Sequence, residues 1–299
     1  MQIKAQLPDF AARIEGIDVR TLSDRDVAAL VAAIDHHGVL VFPSQSLSQA
    51  ELVAFARQFG ELDIQLNKDA SGRLQQRLEE AALFDISNVD LSGEVAARNH
   101  AQVLNTMGSR VWHSDGAYKQ HPYRYSILAA HIVPSWGGET QFADLRAAYD
   151  ALDERTRAMV EPMVAEHDFY HWLVDRLGLP APSQEERGRN PPVLWPLVRT
   201  HPGSGRKLLW VETAVSRILG LTVAEGRVLA LDLLEHATQR ERVYSHVWQP
   251  GEVVMWDNRS VVHRGRQFDL GERREMRRAT VVGDDCALSA DEVARLTSR

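Results

Sequence analysis

Trp112-His113-Ser114-Asp115, and far downstream Trp256-Asp257-Asn258-Arg259-Ser260-Val261-Val262-His263 followed by Arg274 and Arg278, decide the reading of this chain of 299 residues. In an extended backbone, side chains at i and i+2 share a face, so His113 and Asp115 converge while Ser114 points away. His263 ends an apolar strand pattern and reaches the first pair only through tertiary folding. Two imidazoles and one carboxylate can occupy one face of an octahedral metal and leave the opposite face open, the donor set of non-haem Fe(II) oxygenases. Taken singly, these residues have plainer readings. His113 and Asp115 would be a hydrogen-bonded surface pair, and His263 a satisfied core histidine.

The run Arg273-Arg274-Glu275-Met276-Arg277-Arg278 would by itself be a basic surface stripe. If it opens a strand, residues 274, 276, 278 and 280 share one face, and 273 and 277 face solvent. An arginine turned inward is costly to desolvate unless it meets an anion. Arg274 and Arg278 therefore suggest two bound organic anions beside the metal, one of them 2-oxoglutarate.

Composition narrows the partners. A net charge of −7 gives no electrostatic reason to expect nucleic acid or an anionic membrane. A single cysteine, Cys286, excludes an intrachain disulfide and a cysteine-based zinc site, and the thiol has no partner that would make it a nucleophile. The N-terminal residues lack a basic start followed by an apolar run, and nowhere are there about 18 consecutive apolar residues. The expectation is a cytoplasmic protein with no membrane partner, folded as one domain over residues 1–299.

Local signals place the elements. Ser23 to Gly38 predicts a helix capped by Ser23 and stopped by glycine, then a buried strand Val39-Leu40-Val41-Phe42. Ser48 and Glu51 form a capping box, and Thr222 with Glu225 a second one, opening a helix through Thr238. Strands are expected at 125–133, 139–143, 194–200, 207–212, 243–248, 252–256 and 274–282, with Asp144 capping a short helix. Residues 64–110 are expected to be largely irregular, with an amphipathic stretch at 74–83 and an extended one at 83–89. Residues 178–192, rich in Gly and Pro, read as an exposed loop or lid. Both segments are expected as flexible insertions. His167 and His171 could bind a metal only if helical, and 168–170 looks extended, so a structural or pocket-lining role is expected. His201 and His246 are expected to line the pocket without being ligands, and His36-His37 to meet the last carbonyls of their helix.

The ordered motifs together resemble the taurine and 2,4-dichlorophenoxyacetate dioxygenases. The likeness runs from Val39-Leu40-Val41-Phe42 through Trp112-His113-Ser114-Asp115, Pro134-Ser135-Trp136-Gly137-Gly138-Glu139-Thr140 and Thr200-His201-Pro202-Gly203-Ser204-Gly205-Arg206-Lys207 to Trp256-Asp257-Asn258-Arg259 and Arg277-Arg278-Ala279-Thr280. Asp85-Ile86-Ser87-Asn88-Val89, Leu234-Glu235-His236-Ala237-Thr238-Gln239-Arg240 and His263-Arg264-Gly265-Arg266 are most similar to the 2,4-dichlorophenoxyacetate branch. Gly116-Ala117-Tyr118, with Lys119 and His121 after it, departs from that branch beside the substrate.

The resemblance implies a mainly β fold with α, a double-stranded β-helix (jelly-roll, cupin-like) core flanked by helices. It implies Fe(II) on His113, Asp115 and His263, with Thr140 and Arg274 on the distal carboxylate of 2-oxoglutarate. Arg278 would meet the acid group of a small anionic substrate. The expected reaction consumes O₂ and 2-oxoglutarate, releases succinate and CO₂, and hydroxylates an aryloxyacetate next to its ether oxygen, giving a phenol and glyoxylate. An alkylsulfonate or alkyl sulfate is the alternative substrate, and a silent β-barrel binding protein or a zinc hydrolase the alternative class. A halogenase is disfavoured, because Asp115 occupies the position such enzymes leave for chloride. A homo-oligomer is compatible with all of these.

Overall fold

A computed structural model describes residues 1–64 and 76–297. Its strands in chain order are β1 (Gln2–Leu7), β2 (Phe10–Glu15), β3 (Val39–Phe42), β4 (Leu83–Ser87), β5 (Tyr123–Ile132), β6 (Thr140–Asp144), β7 (Val164–His167) and β8 (Val193–Pro196). They continue with β9 (Val198–Thr200), β10 (Lys207–Leu209), β11 (Val215–Ile218), β12 (Val243–His246), β13 (Val253–Asp257), β14 (Val261–Gly265) and β15 (Glu275–Val282). The α-helices are α1 (Asp24–His37), α2 (Gln49–Arg57), α3 (Ala101–Gly108), α4 (Leu145–Asp150), α5 (Glu154–Val160), α6 (Gln184–Arg189), α7 (Val223–Ala237) and α8 (Ala290–Thr297).

Two sheets face each other across the site. The larger has the order β1-β2-β3-β13-β5-β15-β4, the smaller β12-β6-β14. Side chains alternate along each strand, and the alternation sorts the core into layers. On the larger sheet, Leu40, Phe42, Tyr125, Ile127, Met255, Ala279 and Val281 pack on the side carrying Leu30 and Ile34 of α1 and Leu52, Phe55 and Ala56 of α2. Their neighbours Val39, Val41, Leu128, Val254, Trp256 and Met276 point the other way, where they meet Phe142 and Val261 of the smaller sheet. The outer face of the smaller sheet carries Ala143 and Val262, packed with Leu145 and Ala148 of α4 and Ala230 and Leu233 of α7.

This parity decides where the chemistry goes. Arg278 lies two residues from Met276, and His263 two from Val261, so both side chains enter the space between the sheets. Directly paired residues in an antiparallel ladder also share a face, which turns Ser126, opposite Trp256 and Thr280, inward as well.

The capping signals are realised. Ser23 and Ser48 accept from the third helical N–H of α1 and α2, Thr222 does so for α7, and Gly38 ends α1 at φ +71°. His36 and His37 do end α1, but His36 turns its Nε2 to Asp9 at 3.3 Å. The turn Pro134–Gly138 depends on glycine. Gly137 sits at φ +70°, and a Cβ there would lie 2.1 Å from the Gln267 carbonyl oxygen, so the turn docks on the loop leading to Arg274.

Several expectations need correction. Residues 178–192 are not wholly irregular: Ser183 and Glu186 form a capping box that starts α6, a local signal outweighed in the sequence by the surrounding Gly and Pro. Within 64–110 the chain forms β4 and α3. The amphipathic stretch 74–83 begins outside the described residues, and its described part runs through bends into β4. Phe169 and Tyr170 are helical rather than extended, and lead into a π-helical turn, His171–Arg176. The expected strand 194–200 is broken into β8 and β9, which pair with different partners. The β1–β2 hairpin at the edge of the larger sheet was not anticipated. No described helix is long and apolar enough to cross a membrane.

Candidate active site

His113 and His263 face each other as a narrow antiparallel pair: the N–H of each donates to the carbonyl of the other, at 3.0 and 2.8 Å. Paired residues put their side chains on one side of the ladder, and the two ring centroids are 4.2 Å apart. Asp115, two residues after His113, comes to the same face. Its Oδ1 is 3.8 Å from His113 Nε2, and its Oδ2 is 3.8 Å from His263 Nε2.

Hydrogen bonds and burial arrange the three groups for a divalent metal. His113 Nδ1 donates to the Val111 carbonyl at 2.8 Å, which turns Nε2 toward Asp115. Burial, reinforced by His113, pushes His263 well below the ordinary imidazole range, so it stays neutral with a lone pair available. Burial alone would raise the Asp115 carboxyl. The positive charge of Arg278 leads the causes that oppose it, and with the Ser126 hydroxyl holds the group well below the usual carboxylate range. The three donor atoms lie within 4.8 Å of one another, and two imidazole nitrogens with one carboxylate fit Fe(II).

An outer layer fixes Asp115. Ser126 Oγ donates to Asp115 Oδ2 at 2.6 Å and accepts from Asn258 Nδ2 at 3.0 Å. Asn258 Oδ1 accepts from Trp256 Nε1 at 2.9 Å and from the Asp115 backbone at 3.3 Å, while Ser114 Oγ donates to the Asn258 carbonyl. Ser126→Ala is expected to weaken divalent-metal binding about 10–100-fold, read by titrating the metal-free protein with Co(II). Unchanged affinity would show that Asp115 does not need this partner.

A second cluster, Asp35, His201 and Asp257, also brings its donor atoms within 4.8 Å. It is already committed. Asp257 accepts from His201 Nε2 at 2.9 Å and from the Arg259 guanidinium at 2.9 and 2.6 Å, and His201 Nδ1 bonds Ser204. The network anchors the turn into β14 that delivers His263.

Arg278 reaches the cavity and donates from Nη1 to Asp115 Oδ1 at 2.7 Å, with its guanidinium over the Phe84 ring. Its Nε is buried and has no partner among the described residues. Arg274 is almost fully buried and meets no carboxylate among the described residues. Burial, helped by nearby Arg110, lowers its pKa to about 10. Arg274 and Trp248 line a cavity of about 230 Å³ under the Pro134–Gly138 turn. Trp248 Nε1 donates to Thr140 Oγ1 at 3.0 Å, which leaves the Thr140 hydroxyl proton free to donate. Arg110, a half-buried cation whose Nη2 has no partner among the described residues, was missed in the sequence, where nothing marks it.

A second cavity, about 380 Å³, opens directly on His113, Asp115 and Arg278. Its wall includes Phe84, Leu104, Tyr118, Phe169, Trp172 and Leu179. The aromatic run Phe169-Tyr170-His171-Trp172 was the available signal for this wall. Of the residues after Asp115, Gly116 and Tyr118 line the cavity. Lys119 turns to Tyr123, and His121 to the Asp285 carbonyl. His167 and His171 each bond a carboxylate, Glu212 and Asp175, and do not join as ligands. His201 and His246 do not line this cavity, contrary to expectation. His246 lies 3.2 Å from Glu252.

The comparisons agree with this geometry. The chain is 48% identical over 283 residues to the alpha-ketoglutarate-dependent 2,4-dichlorophenoxyacetate dioxygenase of Cupriavidus pinatubonensis, covering 93% of this chain and 96% of that one. It is 36% identical over 289 residues to the (S)-phenoxypropionate/alpha-ketoglutarate-dioxygenase of Sphingobium herbicidovorans, covering 94% of each. The crystal structure of AAD-2 in complex with Mn(II) and N-oxalylglycine superposes with a TM-score of 0.89 at 38% identity, over 97% of this chain and all of that one. The likeness to jelly-roll dioxygenases thus holds in sequence and in structure. Residues 2–280 match the taurine catabolism dioxygenase TauD, TfdA family, and the chain belongs to it.

Proposed function

We propose that this protein is an Fe(II)- and 2-oxoglutarate-dependent dioxygenase that cleaves aryloxyacetates, with residues 1–299 acting as one catalytic unit in the cytoplasm. The observation that carries the reading is the placement of a two-histidine, one-carboxylate cluster at one end of a cavity with an arginine beside it and aromatic walls beyond. His113, Asp115 and His263 would hold the metal. With 2-oxoglutarate and O₂, the bound metal supplies the oxidant for C–H hydroxylation.

The chain's own residues do the positioning. Thr140 offers a hydroxyl proton and Arg274 a desolvated guanidinium to the distal carboxylate of 2-oxoglutarate. Arg278 offers its unpartnered Nε–H to the substrate carboxylate, which sets the substrate's acid end next to Asp115. The acetate methylene then lies between that anchor and the ring, and the ring extends toward Phe169 and Trp172. Hydroxylation of this methylene gives a hemiacetal that breaks to a phenol and glyoxylate. The apolar wall excludes water and favours an aryl group over the short chain of an alkylsulfonate.

Incubation with Fe(II), 2-oxoglutarate and 2,4-dichlorophenoxyacetate is expected to give 2,4-dichlorophenol, glyoxylate and succinate in equal amounts. Substrate-dependent sulfite from an alkylsulfonate, with no phenol from any aryloxyacetate, would overturn the substrate assignment.

A further inference from the structure

The wall of the 380 Å³ cavity contains one contact whose geometry has a direct consequence for selectivity. Trp172 stands on the π-helical turn His171–Arg176, and the benzo edge of its indole rests on Gly108 at the end of α3. A Cβ built on Gly108 would lie 2.9 Å from both Cζ2 and Cη2 of Trp172, closer than real side chains approach. Gly108 has no positive φ, so nothing in its backbone asks for glycine, and the indole does. π-Helical turns concentrate at functional sites because the widened turn re-aims side chains that a regular helix would place elsewhere.

The same indole is part of the substrate wall. Its plane is within 15° of the His113 ring, with centroids 6.0 Å apart, and Phe169 meets it edge-on at 5.8 Å. Tyr118 packs on Phe169 at 4.4 Å, so any shift of Trp172 is transmitted along the aromatic wall. The Trp172 Nε1–H is buried and has no hydrogen-bond partner among the described residues. A bound molecule carrying an acceptor on its ring is a group that can satisfy it.

We propose that Trp172, seated on Gly108, is the specificity-determining residue of this cavity: its depth on α3 sets the size of the aryl group admitted beside the metal ligands. This rests on the aryloxyacetate reading above. Gly108 admits the indole to its full depth, which leaves room for ring-substituted aryloxyacetates. A larger residue at 108 lifts the indole into the cavity and restricts it to unsubstituted rings.

The test compares kcat/KM for 2,4-dichlorophenoxyacetate with that for phenoxyacetate in wild type, Gly108→Ala, Trp172→Phe and the double variant. Gly108→Ala is expected to lower the ratio about tenfold, the scale on which one carbon too many is felt in an apolar pocket. Phenylalanine lacks the benzo edge that meets the new methyl group, so in the double variant the ratio should return to that of Trp172→Phe. Quenching of tryptophan fluorescence by each aryloxyacetate in the metal-free protein should show the same fall in affinity for the substituted ring relative to the unsubstituted one in Gly108→Ala. A ratio that Gly108→Ala leaves unchanged, or lowers equally with and without Trp172, overturns the proposal while leaving the dioxygenase assignment in place. If wild type neither binds nor turns over any aryloxyacetate, the substrate assignment fails, and this inference with it.

Discussion

Asp115→Ala is expected to release no succinate above background with any substrate, a larger loss than the roughly 10–100-fold that follows removal of a partner outside the ligand set. The carboxylate has two duties here. It faces both Nε2 atoms at 3.8 Å, and it accepts from Arg278 at 2.7 Å. Removing it takes away the charged ligand and leaves a mostly buried guanidinium without its carboxylate. Breaking a buried pair costs about 3–5 kcal/mol, and the residual solvent access of Arg278 places this case at the lower end or below. The assay therefore belongs below the melting temperature of the variant, with folding checked by circular dichroism. Asp115→Asn separates the two effects, since it keeps the shape and an acceptor for Ser126 but loses the charge. Succinate release at the wild-type rate in either variant would contradict the assignment of Asp115 as a ligand.

Arg274→Met should raise the KM for 2-oxoglutarate about a hundredfold or more while making the protein without 2-oxoglutarate more stable. The two signs have one cause. Arg274 is buried, its pKa is depressed to about 10, and it meets no carboxylate among the described residues, so its charge is held against a desolvation cost. A dicarboxylate brings the missing partner, and charge-assisted, two-pronged hydrogen bonds are worth a few kcal/mol in such surroundings. Methionine fills similar space without a charge, so the cost disappears together with the binding energy. A KM titration and a thermal melt on the same samples check both halves. A variant that is less stable and binds 2-oxoglutarate normally would show that Arg274 serves packing.

Much of this was legible in the sequence because its causes are local. Ser23, Ser48 and Thr222 announce helix starts through hydrogen bonds to residues three positions on, and those helices form where expected. The pairing of His113 with Asp115 was legible by parity, since i, i+2 spacing on an extended segment brings them together wherever the strand lies, while His263 joined them only through the resemblance. What escaped depends on distant contacts. The pairing of Arg278 with Asp115, the Ser126–Asn258 support and the seat of Trp172 on Gly108 all join segments whose spacing carries no periodic signal. The β1–β2 hairpin was missed although Gln2-Ile3-Lys4-Ala5-Gln6-Leu7 alternates polar and apolar residues as a strand does; the run is short and most of β1 is exposed. α6 was hidden by the glycine and prolines around its capping box.

The most direct test of the metal centre is anaerobic addition of Fe(II) and then 2-oxoglutarate to the metal-free protein, followed by visible absorption. A metal-to-ligand charge-transfer band is expected in wild type, at one 2-oxoglutarate per chain, and is expected to be lost in Asp115→Ala. In Arg274→Met it should appear only at much higher 2-oxoglutarate. No band in wild type, or the same band in Asp115→Ala, would contradict an Fe(II) and 2-oxoglutarate centre built on His113, Asp115 and His263.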